Sequence, residues 1–161
     1  MGTFVFNQSL GREVELYNRV QTNDPTNSAL IMLVLASAGL EADSTLKTAA
    51  TVSALLAGST NEVTNTGYGR KTLTDAVLSA FTVDNTNNQI LLTLPLQTFT
   101  TISAGDLWSK VVVAYDNDTT SGTDANIVPV TAADLRIGGS VISPNGSNIV
   151  IDFTAGFVYA V

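Results

Sequence analysis

Carboxylates are the side chains of this sequence best spaced to do chemistry. Asp116, Asp118, Ser121 and Asp124 alternate through the stretch D-N-D-T-T-S-G-T-D, with Gly122 among them. Oxygen ligands at such intervals can wrap a hard cation such as Ca2+. An EF-hand loop opening at Asp116 would end in Glu, and Ile127 stands there instead. Asp and Asn also bond their own backbone in ordinary turns, so the stretch is read as a turn loop and no metal is assigned. Asp134 and Asp152 would be the pair for acid and base work. Distance along the chain says nothing about the geometry such work requires, and both are read as solvated surface carboxylates.

The rest of the catalytic repertoire is thin. The chain of 161 residues contains no His and no Cys, which removes disulfides, thiolate and imidazole metal sites, and the familiar triads. No G-x-S-x-G elbow is present. Gly67-Tyr68-Gly69 lacks the third glycine and the following helix of a phosphate-binding loop, and reads as a strand irregularity. No catalytic residue and no cofactor is therefore expected. Tyr68, Trp108, Tyr115 and Tyr159 could make a sugar-stacking platform, but at these spacings they are read as core or interface anchors.

Charge limits the partners. The net charge is −7 and there are seven basic residues, of which only Arg70-Lys71 are adjacent. Several phosphate contacts need several clustered bases, so neither direct nucleic-acid binding nor an anionic membrane surface is expected. The longest apolar run, Ala29–Ala36, is too short to span a bilayer. The opening M-G-T-F-V-F-N has no basic n-region and no long apolar core, and is expected to be no signal peptide.

The elements that must position these residues are mostly strands. Leu107–Tyr115 holds the only Trp and the run Val111-Val112-Val113, bounded by turn residues, and reads as a central strand with Ile127–Val130 as its return. Leu30–Leu35 reads as a strand buried on both faces. Residues 10–20 are ambiguous; a short helix with Leu10, Val14 and Tyr17 on one face is preferred. A second helix is expected over 44–57, capped by Asp43 or Ser44, with Leu46, Ala49, Val52 and Leu56 on one side and Gly58 as its stop. From Glu62 onward the pattern is β. Gln89–Leu94 and Thr98–Ile102 flank a break at Pro95, and Arg136–Ile142 and Asn148–Phe153 are expected to pair across Pro144-Asn145-Gly146. Gly156–Val161 closes the chain as a strand. The fold class is thus mainly β: residues 1–161 form a single-domain β-sandwich or barrel of about eight to ten strands with one or two short helices, jelly-roll connectivity being allowed but not derivable.

Three segments resemble small virion structural proteins of tailed bacteriophages. They are G-L-E-A-D-S-T-L at Gly39–Leu46, T-N-E-V-T-N-T-G-Y-G-R-K-T-L-T at Thr60–Thr74, and Tyr115–Thr131, where Asn117 replaces the usual Pro; the ending Phe153–Ala160 is similar too. The resemblance covers most of residues 28–161. It implies a non-enzymatic virion part, best read as a capsid decoration or cement protein bound to the major capsid protein. Its place would be the capsid surface, with host cytoplasm as the site of assembly. The alternative is a tail-associated receptor- or carbohydrate-binding module, which would show aromatics on one exposed face. A hydrolytic enzyme ranks last. No catalytic residue is implied.

Assembly follows from charge and apolar ends. Acidic chains repel one another, so self-association must rest on apolar burial. Phe4, Val5 and Phe6, in an N-terminal arm over residues 1–9, and Phe157 and Tyr159, near the other end, are the expected contacts. A homo-oligomer is expected on this ground. The trimer, in particular, comes from the resemblance to cement proteins.

Overall fold

The computed structural model describes residues 2–153 and the strand backbone of residues 157–160. Among these residues the chain is mainly β. Its elements are β1 (Phe4–Val5), α1 (Glu13–Gln21), β2 (Ala29–Ala36), α2 (Asp43–Leu46), α3 (Val52–Leu55), β3 (Lys71–Leu73), β4 (Thr82–Asp84), β5 (Gln89–Leu92) and β6 (Gln97–Phe99). There follow β7 (Trp108–Asp116), β8 (Val128–Asp134), β9 (Arg136–Ile137), β10 (Ser140–Val141), β11 (Ile149–Ile151) and β12 (Phe157–Ala160). The main sheet is antiparallel with strand order β1-β8-β7-β2-β3. The strand holding Trp108 stands at its centre, as the sequence predicts.

β2 is an unbroken apolar run because both faces of this sheet are covered. Leu30, Met32, Val34 and Ala36 face one core and Ile31, Leu33 and Leu35 the other, the alternation a strand imposes. The first core is closed by Leu16, Tyr17 and Val20 of α1 and by two small sheets, β12-β5-β4 and β11-β6, which make the domain sandwich-like. The second is closed by Phe6, and by Leu46, Val52 and Leu55 of α2 and α3.

Two bulges adjust this pattern. Leu35 pairs with Lys110 but Ala36 pairs with Trp108, so Ser109 is an extra residue on β7. The inserted residue puts Trp108 in the first core while Lys110 faces the second, although strand neighbours two apart ordinarily share a face. On β8, Thr131 pairs with Val113 and Pro129 with Ala114, leaving Val130 unpaired in register. That irregularity admits Pro129, which has no N–H for the ladder.

Past the ends of the short edge strands β1 and β3, the chain itself continues along β8 and β2. Beyond β1, the Phe6 N–H donates to the Val130 carbonyl, and Ser9 Oγ donates to the Pro129 carbonyl at 2.8 Å. Beyond β3, the Val34 N–H donates to the Tyr68 hydroxyl at 3.0 Å, the Val63 N–H donates to the Val34 carbonyl, and Glu62 bridges Leu35. These contacts leave less of β8 and β2 open to pairing than the short β1 and β3 alone would.

Several local expectations change. The helix over 44–57 is two single turns, α2 and α3. Thr51 breaks the run because its side chain accepts from the Ala54 N–H and so caps a new start, while Asp43 and Ser44 make no side-chain cap. The α1 face is Leu16, Tyr17 and Val20, with Leu10 exposed ahead of the helix. Residues 136–153 form no hairpin across Asn145-Gly146. The tight hairpin is β9–β10 across Gly138-Gly139, both at positive φ, and β11 pairs with β6 instead. The Asn-Gly turn docks on Ile102, whose carbonyl accepts the Gly146 N–H.

Candidate functional site

Arg70 is the centre of the most connected polar group. It follows the turn at Gly67, whose φ of +90° suits glycine and whose Cβ position lies 2.8 Å from the Thr101 carbonyl oxygen. The guanidinium donates to both carboxylate oxygens of Glu62 and to both of Asp124, with Nη2 to Asp124 Oδ2 at 2.9 Å. Two carboxylates on one planar fork is the arrangement Arg makes best. These bonds hold the Asp124 carboxyl below the usual range and raise the guanidinium further, Asp124 contributing most and Glu62 next. Tyr68 joins the group by donating to Glu62 Oε1 at 2.6 Å. Burial, and then the Glu62 charge, push its hydroxyl upward, so it is a neutral donor across the pH range of life.

The acidic loop turns on itself. Asp116 Oδ1 accepts the Asp118 N–H at 3.0 Å; Asp118 accepts from the Thr120 N–H, the Thr120 hydroxyl and Ser121 Oγ. Ser121 and then Thr120 hold the Asp118 carboxyl low. Gly122 lies against Asp116, where a Cβ would stand 2.7 Å from Oδ2. Asp124 faces Arg70, so the three carboxylates do not converge. Among the described residues no three His, Cys, Asp or Glu side chains are grouped to hold a metal ion.

Asp134 is not a solvated carboxylate. It meets the completely buried Lys110, whose ammonium also lies 3.2 Å from Asp43 Oδ1 and donates to the Gly2 carbonyl at 3.0 Å. The expectation of free surface acids fails here because the Ser109 bulge turns Lys110 inward. Asp152 follows β11 on an exposed segment and is engaged as well. Of the four aromatics weighed as a platform, Tyr68 is half-buried and the Tyr159 side chain lies outside the described residues. Tyr68 stacks on Phe99, both rings meet Trp108 edge-on, and Trp108 is fully buried with Nε1 donating to Asn65 Oδ1 at 2.9 Å. Asn65 in turn donates to the Ser103 and Asp106 carbonyls, so this buried amide is satisfied. Tyr115 is buried too.

The expected contact residues divide. Phe6 is 0% exposed in the second core and is withdrawn as an interface residue. Within the expected N-terminal arm, Phe4–Val5 form an edge strand paired with β8 and Asn7–Ser9 a 3-10 turn against it. Phe4 and Val5 are half-buried, the Phe4 ring meeting Phe6 edge-on. The backbone of Phe157 and Tyr159 pairs with Leu92 and Ile90 in β5, at the edge of the three-stranded sheet; their side chains lie outside the described residues. Exposed aliphatics stand elsewhere: Ile137 on the β9–β10 hairpin, Val150 on β11 and Leu96 just before β6.

Sequence reasoning missed Lys110, Asn65 and the Glu62–Arg70–Asp124 group. A lone Lys inside a valine-rich strand was the available signal for the first, since a strand buried on both faces leaves no solvated position. A cleft of about 580 Å3, lined by Arg12, Arg19, Pro25, Tyr115, Asn117 and Asn126, is the largest of the surface depressions described. Its two guanidiniums both bond Glu15 through Nε. A scan against protein-family models, a search of curated proteins and a search of solved structures each found no match.

Proposed function

We propose that the chain is a non-enzymatic structural protein of a tailed-phage virion, a capsid decoration protein that binds the major capsid protein as a small oligomer. The observation that carries this reading is where the three phage-like segments meet. Glu62, Tyr68 and Arg70 of the second segment close on Asp124 of the third, and Asp43 of the first meets Lys110 of the strand leading into the third. Glu62, Tyr68, Arg70, Asp124 and Asp43, polar residues of those segments, each fasten one part of the chain to another. Residues used in this way serve a rigid shell part rather than a turnover site. The acidic surface agrees with it, since a chain outside a capsid gains nothing by gripping the DNA within.

A reconstruction of the particle tests the reading. Density for this fold repeating with the icosahedral lattice supports it, and density confined to the tail overturns it in favour of the receptor-binding alternative. That alternative draws little support from Trp108 and Tyr115, which are buried, or from Tyr68, which is half-buried with its hydroxyl bonded to Glu62. Hydrolysis of host-surface polysaccharide by the purified chain would overturn both.

A further inference from the structure

The buried group at Lys110 is built for a covalent step. β7 and β8 put Lys110 and Asp134 directly opposite one another, and the Lys110 Nζ is in hydrogen-bond contact with Asp134 Oδ1. The amine has no solvent exposure, and the Phe4 ring centroid lies 5.2 Å from it. A second carboxylate, Asp43, reaches the same nitrogen at 3.2 Å through an oxygen that is buried and makes no hydrogen bond. Arg136 Nε stands 3.6 Å from the other oxygen of Asp134. Nucleophile, carbonyl carbon, proton carrier and a cation beside the developing oxyanion are thus assembled around a fully buried amine, with Asp43, Asp134 and Arg136 reaching toward the surface.

We propose that Lys110 and Asp134 join in an intramolecular isopeptide bond, with Asp43 carrying the proton. In the first step the ammonium passes one proton to the Asp134 carboxylate along their hydrogen bond. The amine lone pair then attacks Asp134 Cγ, placing negative charge on the oxygen that faces Arg136. Asp43 takes the surplus proton from nitrogen and returns it to the Asp134 hydroxyl, which departs as water while the C–N double-bond character of the amide forms. The ammonium supplies three protons; one stays on the amide and two leave in the water. No oxidant or co-reactant enters. Fixed contact between the reacting groups substitutes for the activation that free amines and acids require.

The product ties β7 to β8 through their side chains and replaces a buried ion pair by a neutral amide, a durable fastening for a protein exposed on a particle. The bond does not depend on the virion role, and its test is separate. The intact mass of the purified full-length chain, measured under denaturing conditions, should be one water below the sequence mass. Fragmentation should recover a branched peptide joining Lys110 to Asp134. Lys110→Met should restore the full mass, and Asp43→Asn, which keeps the side chain's shape, should leave the chain folded but largely unlinked. A wild-type chain at full sequence mass overturns the bond, as does a loss of water that persists in Lys110→Met. An Asp43→Asn protein as fully linked as the wild type overturns the role of Asp43.

Discussion

At the scale of residues, polar groups that look available for chemistry are consumed by the fold, and the consequences are measurable. Asp124 has its folded-state pKa lowered by Arg70. Above about pH 4 it is ionised in both states and the pairing stabilises the fold. As pH falls further, the unfolded chain takes up the proton first, and that contribution is lost through the folded-state value. Asp124→Asn should therefore lower stability at pH 7 and make a smaller difference at pH 3, as read from denaturant midpoints of the two proteins. An equal gap at both pH values would refute the pairing. Asn65→Leu should cost about 1–3 kcal/mol, because it strands the buried Trp108 N–H; the same change with Trp108→Phe should recover part of the loss. Phe6→Ala should cost about 3–5 kcal/mol, since the ring is wholly interior. A loss under 1 kcal/mol would mean that Phe6 is not held in the core and would return it to the expected contact residues. The sequence marked Asp116, Asp118 and Asp124 as a group but not their partners. Asp124 answers to Arg70, more than fifty positions away, and turn chemistry carries no information about a contact of that range.

At the scale of elements, legibility followed locality. β2 was readable as a continuous apolar run and β7 by its Val111–Val113 core, whatever they pack against. Of β8 only the part up to Val130 was read, because Thr131–Asp134 carries no such run. The Ala-rich stretch over 44–57 satisfied a helical period and still broke, since Thr51 bonding the Ala54 N–H competes with helix continuation. The Asn145-Gly146 signal named a turn correctly and a hairpin wrongly. Ile149–Ile151 found a better partner in β6, and a pairing of that separation is invisible to a turn motif. Glycines separate local strain from packing. Gly67 and Gly146 have φ of +90° and +93°, but only at Gly67 would a Cβ meet the backbone, 2.8 Å from the Thr101 carbonyl. Gly146→Ala should cost about 1–2 kcal/mol from backbone strain alone. Gly67→Ala should cost clearly more, because the 100–101 segment must also shift. Comparable melting temperatures for the two variants would mean that the close approach at Gly67 is easily relieved.

At the scale of the whole molecule, the question is what a chain of net charge −7 can assemble with. In the main sheet β1 is bonded to β8 and Phe6 is interior, whereas exposed aliphatics stand on the smaller sheets, so the proposed contact surface lies there. On the β6–β11 ribbon, Phe99 and Ile151 point into the core while Val150, paired with Thr98, is 51% exposed and Leu96 nearby is 50% exposed. Contacts made by such apolar positions between like-charged copies are opposed by long-range repulsion and strengthen when it is screened. The screening length falls from about 30 Å at 0.01 M to about 3 Å at 1 M salt. Self-association, followed by sedimentation equilibrium, should therefore rise with salt; a complex that dissociates as salt rises would be held by ion pairs, and the apolar account would be wrong. Leu96→Lys combined with Val150→Lys should change monomer stability by no more than about 0.5 kcal/mol per site, because both side chains already face solvent. The same double variant should lose self-association and occupancy on capsids. If it decorates particles with the affinity of the wild type, the ribbon is not the contact face, and the edge strand β12 becomes the surface to alter next.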